Sequence, residues 1–158
     1  MTLVMKFGGT SVGSAVAMRE TAKLILAAKE KWGQVVVVAS GMGSKPVKVT
    51  DLLLNGAHSA AAGDEEAHKQ AAMQMREIHV EAITGLLEAE QETALAENGR
   101  FIDRFSALCQ AVHVLGELSP RALDAIGGMG EQMSIRILAA YLRQIGHPAE
   151  AIDATELI

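Results

Sequence analysis

The chain has 158 residues, of which 49% are hydrophobic and 21% charged, so its composition excludes a disordered chain and allows a packed core. A formal net charge of −5 argues against nucleic acid as a partner, because no basic field attracts phosphate polymers. The single cysteine, Cys109, and the lack of an apolar run near the roughly 18 residues of a membrane helix predict a cytoplasmic protein without a membrane partner.

The first segment predicts a strand, a turn and a helix in that order. Residues 3–7 are short and apolar apart from Lys6, and they lead directly into the glycine-rich run GGTSVG at residues 8–13. Apolar residues spaced by three and four predict a helix over about residues 14–32, which Gly33 ends. This order is typical of an α/β unit.

A second strand is predicted at residues 35–39, where four valines precede an alanine. Such a continuous β-branched run favours a parallel sheet that is covered on both faces. The strand ends in the turn SGMG at residues 40–43, and a loop over residues 44–48 follows. The next helix is predicted to begin with Thr50 or Asp51 as its N-cap.

The rest of the chain predicts mostly helices. A long helix capped by Asp64 is expected to reach about residue 97, where Asn98-Gly99 interrupts it before a further helix. Ser119-Pro120 predicts another helix start, and the glycines at residues 127–130 predict a kink or restart. Residues 149–152 are a third strand candidate, and residues 153–158 begin a further element. We therefore expect a helix-rich α/β fold around a short parallel sheet with two open edges.

Three other polar or reactive side chains receive structural interpretations. His68 and His79 lie eleven residues apart, so they share a helix face, but no third ligand stands at metal-binding spacing. Both are expected to be solvated. Cys109 is expected to be a buried small residue. No metal site is predicted from the chain.

The first glycine-rich turn has the chemistry of a phosphate site. Glycines allow a close backbone approach to an anion, and Lys6 adds a positive charge next to the hydroxyls of Thr10 and Ser11. The spacing is neither that of a P-loop nor that of the G-x-G-x-x-G dinucleotide motif. A plain tight turn beside a solvated lysine explains the residues about as well.

Two later segments are weaker candidates. The turn that starts at Ser40 follows the second strand, so both turns are expected at the carboxyl-end rim where open α/β sheets bind ligands. Glu131 follows the glycines at residues 127–130 and is placed to face an ammonium group or a metal. It equally fits a helix-start acid that complements the helix dipole.

Taken in order, these segments resemble one family. Residues 6–12, KFGGTSV, resemble the N-terminal signature of aspartate kinases, within the amino-acid kinase family. Residues 35–43, 49–53 and 130–134 (GEQMS) resemble later segments of the same family in the expected order. The resemblance implies a carbamate-kinase-like α/β fold and covers nearly the whole chain.

The resemblance also implies an activity and a set of site residues. The reaction is transfer of the γ-phosphoryl group of ATP, with Mg²⁺, to the β-carboxylate of L-aspartate, giving 4-phospho-L-aspartate for lysine, threonine and methionine synthesis. The roles it implies are phosphoryl stabilisation by Lys6, phosphate binding by Gly8, Gly9, Thr10 and Ser11, aspartate contacts from Ser40 and Thr50, and ammonium binding by Glu131, which also helps order the site.

Length adds an expectation about domain organisation. The resemblance implies a kinase domain of roughly 250 residues. Residues 1–158 are therefore interpreted as its N-terminal, substrate-side part, without the nucleotide-side half and the regulatory ACT domains. Such a chain is expected to show little turnover alone and to form a homo-oligomer. The alternatives are a non-catalytic binding or assembly module with the same fold, and a kinase for another small carboxylate.

Overall fold

The structure is a computed structural model that describes residues 1–44 and 47–156. The strands in this part of the chain are β1 (Thr2–Phe7), β2 (Gln34–Ala39), β3 (Gly43–Ser44) and β4 (Val47–Lys48). The helices are α1 (Ala15–Trp32), α2 (Val49–Ala61), α3 (Glu65–Leu86), α4 (Gln91–Leu115), α5 (Pro120–Gly127) and α6 (Met129–Gln144). Single 3-10 turns span Gly9–Ser11 and Ala154–Glu156. None of the helices in the described ranges is long and apolar enough to cross a membrane.

The main sheet is parallel, as predicted, but within the described residues it has two strands and one covered face. β1 and β2 pair in register from Thr2↔Gln34 to Phe7↔Ala39. Phe7 and Ala39 are buried, whereas Val36 is 50% and Val38 48% exposed. The prediction that both faces are covered is therefore wrong for this chain. A run of valines indicates a strand, but it carries no alternation that would show which face the helices cover.

The expected third strand is absent from the described residues. Residues 149–153 have no regular structure and lead into the last 3-10 turn. The Arg143 guanidinium donates a hydrogen bond of 3.2 Å to the Ala149 carbonyl oxygen, so a side chain fixes this segment in place of a strand ladder. The predicted loop over residues 44–48 is wrong at its described ends, because β3 and β4 pair antiparallel there, Gly43↔Lys48 and Ser44↔Val47. Positions 45 and 46 of this loop, and positions 157 and 158 of the element expected at residues 153–158, lie outside the described residues.

Side-chain caps begin three helices near their predicted starts, and those at Asp64 and Ser119 are the predicted caps. Ser14 accepts from the Ala17 amide at 3.2 Å, Asp64 from Ala67 at 3.0 Å, and Ser119 from Ala122 at 3.2 Å. Gly33 ends α1 with a φ of 80°, a conformation that favours glycine. These interactions are local, which explains why the sequence pattern predicts them correctly.

The start of α2 was predicted wrongly. The helix begins at Val49 with Lys48 in the N-cap position, so neither Thr50 nor Asp51 is the cap. Lys48 makes no side-chain capping bond. Instead, the Val49 amide donates to the Met42 carbonyl oxygen at 3.0 Å, which gives a first-turn N–H group a backbone acceptor from the preceding turn.

The break between the long helices also differs from the prediction. α4 runs through Asn98 and Gly99 without interruption, and α3 ends instead at Leu86, before Leu87, which is extended and 1% exposed. The Gln144 side chain on α6 accepts hydrogen bonds from the Glu88 and Ala89 amides at 2.6 and 3.2 Å. A distant glutamine thus satisfies the donors at the break, and no local pattern reveals it.

Both histidines of α3 are buried, so the expectation that they are solvated is wrong. His68 is 2% and His79 1% exposed, because they continue the inward face that also carries Met75. His79 Nδ1 lies 2.7 Å from the Met75 carbonyl oxygen, and burial lowers the pKa of His79. Cys109 is buried as predicted, and burial raises the pKa of its thiol to about 12. His79 and Cys109 therefore serve the core as neutral side chains.

Replacing Gly99 with alanine is expected to stabilise the protein by roughly 0.5–1 kcal/mol, because glycine is a poor residue for a helix interior. A Cβ at this position would meet only the Arg76 Nη1 atom, at an ordinary contact distance of 3.6 Å. Urea unfolding of wild type and Gly99→Ala measures the change. A loss of stability would mean that the chain is not helical at this point.

Candidate functional site

The two predicted turns begin side by side because β1 and β2 end in the same register. Phe7 pairs with Ala39, so Gly8 and Ser40 are the first residues beyond the paired strands. The Ser40 amide donates to the Phe7 carbonyl oxygen at 3.0 Å, which continues the contact past the strand ends. The predicted common rim at the carboxyl ends of the strands is therefore present.

The two turns touch through bare backbone. A Cβ on Gly9 would lie 2.9 Å from both the Gly41 and the Gly43 carbonyl oxygens. A Cβ on Gly13 would lie 2.8 Å from the Gly9 carbonyl oxygen and 3.3 Å from the Gly43 nitrogen. Gly43 also has a φ of 137°, which residues with a side chain rarely adopt. These glycines allow a close approach that larger residues would prevent.

The first turns of α2 and α6 complete the cluster. A Cβ on Gly41 would lie 3.3 Å from both the Gly130 Cα atom and the Thr50 Oγ1 atom. Ser134 on α6 donates from its hydroxyl to the Ser40 carbonyl oxygen at 2.7 Å. Ser40, Thr50 and the start of α6, where Glu131 lies, therefore surround one turn.

The phosphate-type turn is supported from behind by α1. Gly9–Ser11 forms a single 3-10 turn whose first N–H groups receive no side-chain cap. The buried Thr21 hydroxyl donates to the Ser11 carbonyl oxygen at 2.6 Å, and the Ser11 amide donates to Gly8 at 2.9 Å. Thr10 is exposed and Ser11 half-buried, and nothing lies within 4 Å of a Cβ built on Gly8. The open side of this turn can admit an anion.

The two charged candidates lie on separate elements. Lys6 is exposed on β1, and Glu131 is half-buried in the first turn of α6. Neither forms an ion pair with the other or with any further residue of the described ranges. Their charges are therefore available for a ligand, although Glu131 still complements the dipole of its own helix.

The chain itself offers no resident metal centre in its described residues. No group of three or more His, Cys, Asp or Glu side chains is placed to hold an ion there.

Two residues of the cluster were given no individual role from the sequence, Thr21 and Ser134, although Ser134 closes the GEQMS segment. Both are buried, at 2% and 0% exposed, and both donate from a helix to the carbonyl oxygen of a turn residue. The available sequence signal is a hydroxyl on an otherwise apolar helix face. That pattern indicates a buried hydrogen-bond donor, but it does not show which carbonyl oxygen accepts the hydrogen bond.

Comparison with known proteins identifies the family. The sequence model of the amino acid kinase family matches residues 1–158, and the chain belongs to that family. It is 34% identical to aspartokinase 1, chloroplastic, and 36% identical to aspartokinase 3, chloroplastic, both of Arabidopsis thaliana, over 99% of its own length. It is 31% identical to the aspartokinase of Schizosaccharomyces pombe. The resemblance to aspartate kinases inferred from the motifs is confirmed.

The matches cover only part of each relative. The chain spans 26% of either Arabidopsis protein and 30% of the yeast one. Among solved structures, E. coli aspartokinase III, described in complex with aspartate and ADP, aligns with a TM-score of 0.75 and 24% identity over 92% of this chain and 29% of that one. Aspartate kinase of Clostridium acetobutylicum aligns with a TM-score of 0.67. The predicted α/β fold class is confirmed.

Proposed function

We propose that this chain carries the aspartate- and phosphoryl-binding part of an aspartate kinase, which transfers the γ-phosphoryl group of ATP to the β-carboxylate of L-aspartate. One observation carries the proposal. The Ser40 turn is bonded to the end of β1 on one side and to α6 on the other, and its Gly41 lies beside Thr50, so the four family-like segments adjoin one turn. The aspartokinase relatives support the same reaction.

Lys6 and the glycine-rich turn at residues 8–13 would act on the phosphoryl group. A carboxylate and a triphosphate are both anions, so a lysine charge and backbone N–H groups are needed to offset their repulsion. Lys6 is exposed and supplies the positive charge, the half-buried Gly8 and Gly9 contribute backbone without side chains, and Thr10 and Ser11 offer hydroxyls. A β-carboxylate oxygen attacks the γ-phosphorus, the bond to the β–γ bridging oxygen breaks, and ADP leaves.

The turn at residues 40–43 and the starts of α2 and α6 would hold aspartate. Ser40 and Thr50 carry hydroxyls that can donate to a carboxylate, and Thr50 Oγ1 lies beside the Gly41 backbone. Glu131 carries a carboxylate, whose negative charge attracts the substrate ammonium. Fixing the ammonium and one carboxylate would leave the other carboxylate directed at the phosphoryl group.

Several wider features of the proposal concern the longer proteins that the chain matches. ATP is the proposed phosphoryl donor, and Mg²⁺ would shield the charge of its phosphates. The division of labour, with residues 1–158 as the substrate side of a larger kinase domain, remains a prediction, as do a homo-oligomer and a cytoplasmic location. Little turnover is expected from this chain alone, so ligand binding is the more direct test.

Glu131→Gln is expected to weaken aspartate binding at least tenfold, because a charged hydrogen bond to the ammonium is lost. Succinate, which lacks the ammonium, is expected to bind wild type weakly and to be unaffected by the substitution. The variant would thus lose the preference for aspartate over succinate. Calorimetric titration of both ligands measures the two affinities.

The matched control is Glu92→Gln, which removes another acid from the first turn of a helix, α4. Both variants are expected to lose the same small helix-dipole stabilisation of roughly 0.3–1 kcal/mol. If Glu131→Gln behaves as Glu92→Gln does and binds aspartate like wild type, Glu131 serves only its helix. Absence of aspartate binding by wild type would contradict the proposed function itself, and tighter binding of acetylglutamate would indicate a kinase for another carboxylate.

A further inference from the structure

We infer that Ser134 is a positioning residue of the aspartate site, holding Ser40 and Glu131 in a fixed relation to each other. This inference rests on the proposed function. Ser134 is 0% exposed and lies behind the turn, so it does not itself touch the ligand. Its hydroxyl is the polar connection between the α6 start and the second turn.

The hydroxyl bonds to the backbone of both residues that it positions. It donates to the Ser40 carbonyl oxygen at 2.7 Å, across 94 residues of sequence, and lies 3.1 Å from the Glu131 carbonyl oxygen. One proton is therefore shared between the carbonyls of two proposed aspartate contacts. A serine within a helix commonly bonds only to its own helix, as Ser106 does to the Ile102 carbonyl at 3.0 Å.

The bond fixes Ser40 because its amide is already held. The Ser40 N–H donates to the Phe7 carbonyl oxygen, so its backbone is tied to β1 by the nitrogen and to α6 by the oxygen. Next to it, Gly41 and Gly130 pack backbone against backbone. That contact supplies close packing but no directional bond, so Ser134 supplies the orientation.

Without the hydroxyl, the Ser40 carbonyl would be left in a poorly solvated place without its donor. The turn is then expected to rotate toward water or toward another donor, and the Ser40 side chain would move with it. The distance between the Ser40 hydroxyl and the Glu131 carboxylate would no longer be fixed. Aspartate, which contacts both, would bind more weakly, while the first turn, held by Thr21, would be unchanged.

The test compares Ser134→Ala with Ser106→Ala, which removes the hydroxyl of a half-buried serine from α4 instead. Ser134→Ala is expected to weaken aspartate binding roughly tenfold in calorimetry, the size of one well-placed hydrogen bond. Ser106→Ala is expected to bind aspartate like wild type, even if both variants melt at a lower temperature. A merely structural role for Ser134 would lower the melting temperature without this difference in affinity.

Amide hydrogen exchange without ligand provides the second measurement. In Ser134→Ala, the Ser40 and Gly41 amides are expected to exchange at least several-fold faster, while the Ser11 amide, bonded to Gly8, keeps its wild-type rate. Unchanged exchange at Ser40 or unchanged aspartate affinity would overturn the inference. If wild type binds no aspartate but Ser40 exchange still accelerates, the proposed function fails and Ser134 retains only the role of holding the turn.

Discussion

Gly9→Ala is expected to destabilise the protein by about 1–3 kcal/mol and to abolish ligand binding at the turns. The new methyl group would stand 2.9 Å from the Gly41 and Gly43 carbonyl oxygens, where ordinary contact begins at 3.4 Å. Both obstacles are backbone atoms, so no side-chain rotation relieves them. The turns must separate by about half an ångström, and a displacement of that size is enough to degrade a site that depends on close positioning.

Gly8→Ala is the matched control, one residue earlier in the same turn. Gly8 has an ordinary extended backbone with φ −80° and ψ 172°, and nothing lies within 4 Å of a Cβ built on it. The free energy of unfolding of Gly8→Ala is expected to stay within roughly 0.5 kcal/mol of wild type. Gly8→Ala thus separates crowding between the turns from the general effect of adding a methyl group beside a phosphate-type loop.

Urea unfolding and aspartate titration distinguish the two variants. Gly9 has no positive φ, so a loss in Gly9→Ala reports crowding and not backbone strain. Equal stability of Gly9→Ala and Gly8→Ala would contradict the close approach of the two turns. Loss of aspartate binding in Gly8→Ala as well would contradict the assignment of the first turn to phosphate and of the Ser40 turn to aspartate.

The sequence predicted the parts of the site that depend on local chemistry. The strand–turn–helix order, the caps at Asp64 and Ser119, and the glycine-rich turns follow from short-range preferences of the backbone. The parallel pairing of the first two strands then brings the turns to one rim without further information. Motif order and sheet topology together predicted which segments meet.

The features that the sequence missed depend on contacts between distant residues. Gln144 satisfies the break after α3, and a carbonyl of the preceding turn replaces the expected side-chain cap of α2. His68 and His79 were assigned to solvent from their polarity, although helical spacing placed them with Met75. The role of Ser134 requires knowing that Ser40, 94 residues earlier, lies beside it. In each case tertiary packing decides between options that local preference leaves equal.

Helix α2, which carries Thr50, packs against Phe105 of α4. Removing this contact is expected to have the largest effect on stability. Phe105 on α4 is 0% exposed. A Cβ on Gly56 of α2 would lie 2.7 Å from the Phe105 Cζ atom, so the ring packs directly against the glycine backbone. Phe105→Ala is expected to cost about 3–5 kcal/mol, the range for removing a buried aromatic ring and leaving a cavity.

A double-mutant cycle with Gly56→Ala tests whether this contact sets the approach of α2 to α4. In wild type, Gly56→Ala forces a methyl group into the ring, which outweighs the gain in helix preference of about 1 kcal/mol and destabilises the protein. In Phe105→Ala, the same methyl group enters the cavity and the helix preference remains, so Gly56→Ala becomes stabilising. Urea unfolding of the four proteins measures this reversal of sign.

Gly99→Ala supplies the reference for the same substitution in a helix where no ring stands in the way. It is expected to stabilise both the wild type and Phe105→Ala by a similar amount, because it changes helix preference alone. If Gly56→Ala follows Gly99→Ala and stabilises the wild type, the ring does not press on α2. A reversal confined to Gly56 would instead show that Phe105 sets the depth at which α2 sits, and with it the place of Thr50 beside the second turn.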